Sequence, residues 1–145
     1  FNIGLAAIAF NGSMVLGRLI GDRLKEIFGI YNFLVFSVIG SFVGSIFIAS
    51  SSSLLFAILG FVIAGFCVSS IIPICYTFGA SIKNLNPTVG ITIITIGTYG
   101  VFMIAPPTLG YVADIFGIEY VYTPMLILFL LISIIVIFQK KLFKN

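Results

Sequence analysis

Apolar residues fall into five long blocks along the chain, separated by short polar or turn-forming clusters. The blocks predict helical spans over about 2–20, 31–49, 54–82, 87–111 and 120–138. One helix needs roughly 20 residues to cross a bilayer, and each block is close to that or longer. A charged connector at 21–29, holding Asp22, Arg23, Lys25 and Glu26, separates the first two spans. The second stops at Ser50-Ser51-Ser52-Ser53, where side-chain hydroxyls compete for backbone groups and favour a turn. The third gives way to Lys83-Asn84-Leu85-Asn86-Pro87, in which Asn86 suits an N-cap and Pro87 the first helical position. The acidic connector Asp114 to Glu119 precedes the last span, whose Pro124 falls in or near the first turn, where proline is tolerated.

Composition turns five helices into a membrane protein. Of 145 residues, 61% are hydrophobic and 8% are charged, against about a quarter charged in a soluble domain. Charge is absent from Ile27 to Ile82, from Asn84 to Ala113 and from Tyr120 to Gln139, runs of 56, 30 and 20 residues. The expected fold class is therefore all-α and integral to the membrane, with five transmembrane helices.

The few charges orient the spans. Helices alternate sides, so the 21–29 connector, the 83–86 loop and the tail with Lys140, Lys141 and Lys144 share one face. Arg18 belongs with them, which puts all seven basic residues on that face and predicts it to be cytoplasmic. Ser50–Ser53 and Asp114–Glu119 mark the opposite side. The expected location is the cell's inner, or plasma, membrane, with the lipid bilayer as the first partner.

Absences exclude several chemistries. The chain has no histidine, hence no imidazole ligand for a metal or haem and no histidine base for a serine or cysteine protease. Paired aspartates within a span are missing too, so no enzyme and no cofactor or metal site is expected. Cys67 and Cys75 are eight residues apart, about 12 Å along a helix, too far for a disulfide. A net charge of +3, spread over span ends, is not a nucleic-acid footprint. Phe1 follows no basic segment, which argues against a signal peptide and predicts a start inside a longer protein.

Within the spans, small and helix-bending residues stand out. Gly40 and Gly44 form a G-x-x-x-G pair amid Ser37, Ser41 and Ser45, and Gly60 with Ala64 and Gly65 with Ser69 repeat the spacing. Such residues let membrane helices approach closely. Pro73 sits deep in the third span, where it removes a backbone hydrogen bond and predicts a bend. Gly97, Gly100, Pro106, Pro107 and Gly110 crowd one half of the fourth. A static kink and a helix that bends during transport both fit these residues.

Polar side chains suggest a path. Asn11 lies about 16 Å along the helix from Asp22, near mid-membrane. Thr88, Thr92, Thr95 and Tyr99 step by four, three and four and share one face of the fourth span. Tyr76 and Thr77 follow Pro73, whereas Ser133 is the main polar residue of the last span. Spans one, three and four thus carry a polar stripe, with Asn11, Tyr76, Thr95 and Tyr99 as candidates to line a substrate path. Each hydroxyl can equally bond its own helix. Ionisable groups keep to the span ends, so a coupling carboxylate would have to lie elsewhere in a larger protein.

The segment Leu16-Gly17-Arg18-Leu19-Ile20-Gly21-Asp22-Arg23-Leu24-Lys25-Glu26-Ile27-Phe28-Gly29 resembles the loop between helices eight and nine in the major facilitator superfamily. That loop repeats a signature reading roughly Gly-x-Leu-x-Asp-Arg-x-Gly followed by basic residues. Aligned on Gly29, Glu26 falls on the signature acid and Leu24 on its leucine. Asp22 replaces the leading glycine, Ile27 a basic residue, and Ile30-Tyr31 offers no basic pair. Gly65, Ser69 and Pro73 resemble helix ten, and Gly97 through Gly117 resembles the end of helix eleven and its outward loop.

This resemblance implies helices eight to twelve, part of a six-helix bundle, with a missing N-terminal half of the same chain as partner. It is most like sugar-permease-like or uncharacterised bacterial members. It implies that helices eight, ten and eleven line a cavity, and that Arg18, Asp22, Arg23 and Glu26 form a gating loop. The expected function is secondary active transport of a small polar organic solute by alternating access. A stand-alone small membrane scaffold or subunit is the alternative.

Overall fold

The computed structural model describes residues 3–51 and 53–138. The described chain is helical, with no strand among the described residues: α1 is Ile3–Phe28, α2 Ile30–Ala49, α3 Leu54–Val68, α4 Ile71–Ala80, α5 Pro87–Phe116 and α6 Thr123–Phe138. A short 3-10 turn, Ile118–Tyr122, leads into α6. With α3 and α4 taken together, five spans are long and apolar enough to cross a membrane. The expected all-α membrane class is what the chain adopts.

Three boundaries differ from the sequence expectation, each for a local reason. The 21–29 connector is no loop: α1 continues through Arg18, Asp22, Arg23 and Glu26 to Phe28. Arg, Leu, Lys and Glu are good helix formers, so charge ends the apolar zone without ending the helix. Only Gly29 breaks it, at φ 79° and ψ 150°, a conformation reserved for glycine. The fourth span likewise passes 111 and runs to Phe116, ending at Gly117 with φ 98° and ψ 156°. α5 stays continuous through Gly97, Gly100, Pro106 and Pro107.

The third boundary is a break where a bend was expected. The third span is two helices, with Ser69 and Ser70 forming the turn between them. Pro73 is the cause. Its ring would clash with the carbonyl four residues back, Ser69, and it has no N–H to offer that carbonyl. The chain therefore stops one helix and starts another, leaving Pro73 as the third residue of α4. In the first turn its missing N–H is no loss.

Two expectations hold closely, the cap at Asn86 and the placement of Pro87. Asn86 caps α5, its side chain accepting from the Thr88 amide at 3.0 Å, with Pro87 at the first helical position. Ser53 precedes α3 at the N-cap, without a side-chain cap bond. The tail lysines Lys140, Lys141 and Lys144, like Asn2 and Ser52, lie outside the described residues.

The chain divides into two compact units, at Ile71/Ile72 and at Val121/Tyr122. In the first, α3 lies between α1 and α2, and α2 is flanked on its other side by α6. Sequence neighbours α1 and α2 touch only marginally. Small residues make these approaches possible. A β-carbon on Gly44 would fall 2.7 Å from the Ala64 amide nitrogen and 2.9 Å from the Gly60 carbonyl. Gly40 faces the Cys67 thiol, and Gly65 faces the Phe10 carbonyl and the Ser13 hydroxyl. Ser41 and Ser45 are buried beside them, each hydroxyl donating to the carbonyl one turn back. The Ser37 hydroxyl is buried with no hydrogen-bond partner among the described residues. Tyr31 ties α2 to α6 by donating to the Val136 carbonyl at 3.2 Å. The second unit holds α4, from Ile72 on, and α5.

Candidate functional site: the polar faces of the spans

The second unit contains three of the four path candidates. α4 and α5 approach through Gly79 and Gly90, whose backbones meet without side chains between them. That approach brings Tyr76 and Thr95 together, with Thr95 Oγ1 3.4 Å from Tyr76 Oη. Thr95 also donates to the Ile91 carbonyl at 2.9 Å. A hydroxyl has a single proton, so the shorter bond holds it and the oxygen's lone pairs face the tyrosine. Tyr99, one turn further along α5, is 69% exposed.

Three further threonines of α5 are bonded to their own helix. Thr92 donates to Thr88, Thr98 to Ile94, and Thr108 to Ile104 and Ala105. Thr77 of α4 does the same toward Pro73. These bonds satisfy the protons and leave acceptor lone pairs at the surface of each helix.

Asn11 belongs to the first unit. It is exposed on α1, and its Nδ2 donates to the Ala7 carbonyl at 2.8 Å, which leaves Oδ1 as an acceptor. The structure thus joins Tyr76 with Thr95, keeps Tyr99 on the same helix, and puts Asn11 in a separate unit.

The charged end of α1 is helical and carries one ion pair among the described residues. Arg18, Asp22, Arg23 and Glu26 make no ion pair with one another among the described residues. Instead Asp22 pairs with Lys25, three residues on, at 2.5 Å. The i,i+3 step puts Asp22 and Lys25 on one face of the helix; Arg18 with Asp22 and Arg23 with Glu26 have facing steps too but are not paired. All four of the gating candidates are exposed.

The sequence reading missed Gly79 and Gly90, which position the Tyr76–Thr95 pair. Neither belongs to a small-xxx-small pair of glycines within its own helix, so no spacing rule singled them out. Gly17 and Gly21, noted only as letters of the connector, are likewise packing residues. The last span matches its expected plainness, with Ile127, Leu131 and Ile135 exposed and Ser133 bonded back to Phe129.

Comparison with known proteins supports the resemblance carried by the connector. The chain is 28% identical over 130 residues, 90% of its length, to an uncharacterised MFS-type transporter of Yersinia pestis. It is 29% identical over 120 residues, 79% of its length, to the membrane protein MosC of Rhizobium meliloti. These matches cover 34% and 28% of those proteins, so the chain spans about a third of the length of the curated relatives. No family model matches the chain, and no solved structure matches it significantly. Over most of its length the chain is thus similar to one MFS-type transporter and to one further membrane protein.

Proposed function

We propose that this chain forms helices eight to twelve of a secondary carrier, part of its C-terminal half, and that the carrier moves a small polar organic solute by alternating access. The similarity to an MFS-type transporter over 90% of the chain carries the reading, because it extends across all five spans. α4 and α5 supply one polar face, α1 carries Asn11 on its own polar face, and α6 stands toward lipid. The substrate-path residues are Asn11, Tyr76, Thr95 and Tyr99. Tyr76 and Tyr99 combine a hydroxyl with an aromatic face, and Asn11 adds an amide, a set suited to an uncharged, hydroxyl-bearing solute. The chain's share of the work is transport without covalent chemistry. Arg18, Asp22, Arg23 and Glu26 act on the balance between inward-open and outward-open forms, on the cytoplasmic face of the inner membrane.

Solvent access tests the proposal. In the complete protein, cysteine placed singly at 11, 76, 95 or 99 should react with a small polar thiosulfonate reagent. Cysteine at Ile127, Leu131 or Ile135 should stay inert. Sites at 11 and 99 as inert as those three would remove the path assignment.

A further inference from the structure

The break in the third span has a counterpart on α1. Ser69 and Ser70, which form the break, are 2% and 3% exposed, buried although they sit in a turn. Each lies against a glycine of α1: Ser69 against Gly17 and Ser70 against Gly21. Those glycines are four residues apart and so lie on one face of α1. Pro73 creates the turn, and the two glycines give it a place to seat.

The two seats differ. At Gly17 the obstacle is backbone as well as side chain. A β-carbon there would meet the Ser69 hydroxyl and lie 2.6 Å from the Phe66 carbonyl oxygen and 3.1 Å from its Cα. The Ser69 hydroxyl donates to that same Phe66 carbonyl at 2.7 Å, so the two oxygens form one fixed surface at the end of α3. At Gly21 the obstacle is a side-chain tip alone. A β-carbon would lie 2.5 Å from the Ser70 hydroxyl, whereas the Ser70 Cβ and the Phe33 ring are both 3.7 Å away, at ordinary contact distance. The Ser70 hydroxyl has no hydrogen-bond partner among the described residues.

We infer that Gly17 and Gly21 form a two-point latch that holds the Ser69–Ser70 break against α1, closed by backbone at the first point and by a removable hydroxyl at the second. Arg18, Asp22, Arg23 and Glu26 flank these glycines on the same helix, so the latch ties the charged end of α1 to the broken span. A displacement of that end is carried to the break through contact, with no ion pair involved. The latch is read from packing alone and stands whether or not the transport reading does.

The asymmetry supplies the test. In the complete protein with its other cysteines removed and Cys75→Ala, the buried Cys67, packed on Gly40 of α2 one residue before the end of α3, reports whether α3 shifts when the break is unseated from α1. The probe is N-ethylmaleimide in proteoliposomes. Gly21→Ala should raise the Cys67 labelling rate at least fivefold, and adding Ser70→Ala should return it to within twofold of the parent. Gly17→Ala should raise the rate as much or more, and Ser69→Ala should not restore it. Ser70→Ala alone should leave the rate within twofold. Should Gly21→Ala fail to accumulate, Ser70→Leu enlarges the same contact from the other side and should raise the rate. An unchanged rate in Gly21→Ala, no rescue by Ser70→Ala, full rescue of Gly17→Ala by Ser69→Ala, or an unchanged rate in Ser70→Leu would each overturn the latch.

Discussion

Gly90 of α5 faces Gly79 of α4 so closely that a β-carbon on Gly90 would overlap the Gly79 carbonyl. The reverse is milder. A β-carbon on Gly79 would meet the movable Ile94 Cδ1 at 2.5 Å and the Gly90 carbonyl oxygen at 3.0 Å. Gly90→Ala should therefore force the two backbones apart, at about 1–3 kcal/mol, the usual range for overpacking. Gly79→Ala should cost less. Thermal unfolding of the purified complete protein in detergent ranks the two, and an equal or larger effect of Gly79→Ala would contradict the geometry. Because the same approach sets the 3.4 Å spacing of Tyr76 and Thr95, Gly90→Ala should also change the reactivity of a cysteine placed at 95.

The connecting glycines should be sensitive for another reason. Gly29 and Gly117 have no atom within 4 Å of a β-carbon position, yet their φ values of 79° and 98° are ones that side chains rarely adopt. Alanine at either should cost on the order of 1–3 kcal/mol through backbone strain. Gly97 and Gly100 are equally uncrowded but helical, so alanine there should be neutral or slightly stabilising in unfolding measurements. Losses at 97 and 100 as large as those at 29 and 117 would point to a packing role in the complete protein.

The distribution of basic residues predicts a sidedness that labelling checks. Cysteine at Ser51 in the complete protein should react with an impermeant maleimide added outside intact cells. Cysteine at Lys83 should react only after the membrane is opened. The opposite pattern would invert the topology.

The charged end of α1 should affect rate more than affinity. Asp22 is 80% exposed in its pair with Lys25, and surface pairs contribute about 0–1 kcal/mol. A shift near the top of that range still rebalances two conformations severalfold, since 1.4 kcal/mol is tenfold. Once a transported solute is in hand, Asp22→Asn or Arg23→Ala should lower turnover with little change in KM. A large rise in KM with turnover intact would speak against a gating role.

Much of the fold was legible because hydrophobic runs and caps are local signals. Asn86-Pro87 announced the start of α5, and charge-free runs announced the spans. Where the reading failed, two local rules competed. At Asp22 to Glu26, polarity argued for a loop while propensity argued for helix, and propensity won until Gly29. At Pro73 the sequence indicated disruption but not its position, which steric clash moves back to Ser69. The site was less legible. The shared face of Thr95 and Tyr99 follows from helical spacing, but the Tyr76–Thr95 contact depends on a crossing between helices that pattern alone does not give. The hydroxyl count pointed to a polar stripe, and only geometry reveals that the threonine protons are already turned inward.

The break at Ser69–Ser70 also bears on how the chain enters the membrane. It divides the third span into helices of 15 and 10 residues, both shorter than the roughly 20 that bridge the hydrocarbon core. Neither piece can be inserted alone, so the two must be recognised and integrated together as a 27-residue hydrophobic segment. During integration the Ser69 carbonyl, deprived of its partner by Pro73, would meet lipid, where an unsatisfied polar backbone group costs several kcal/mol. Keeping the segment an unbroken helix would not satisfy that carbonyl, because Pro73 has no N–H to offer in either form, so the turn needs cover from neighbouring protein. α1 precedes it in the chain and is already in the membrane, so the order of synthesis provides the cover before the break needs it.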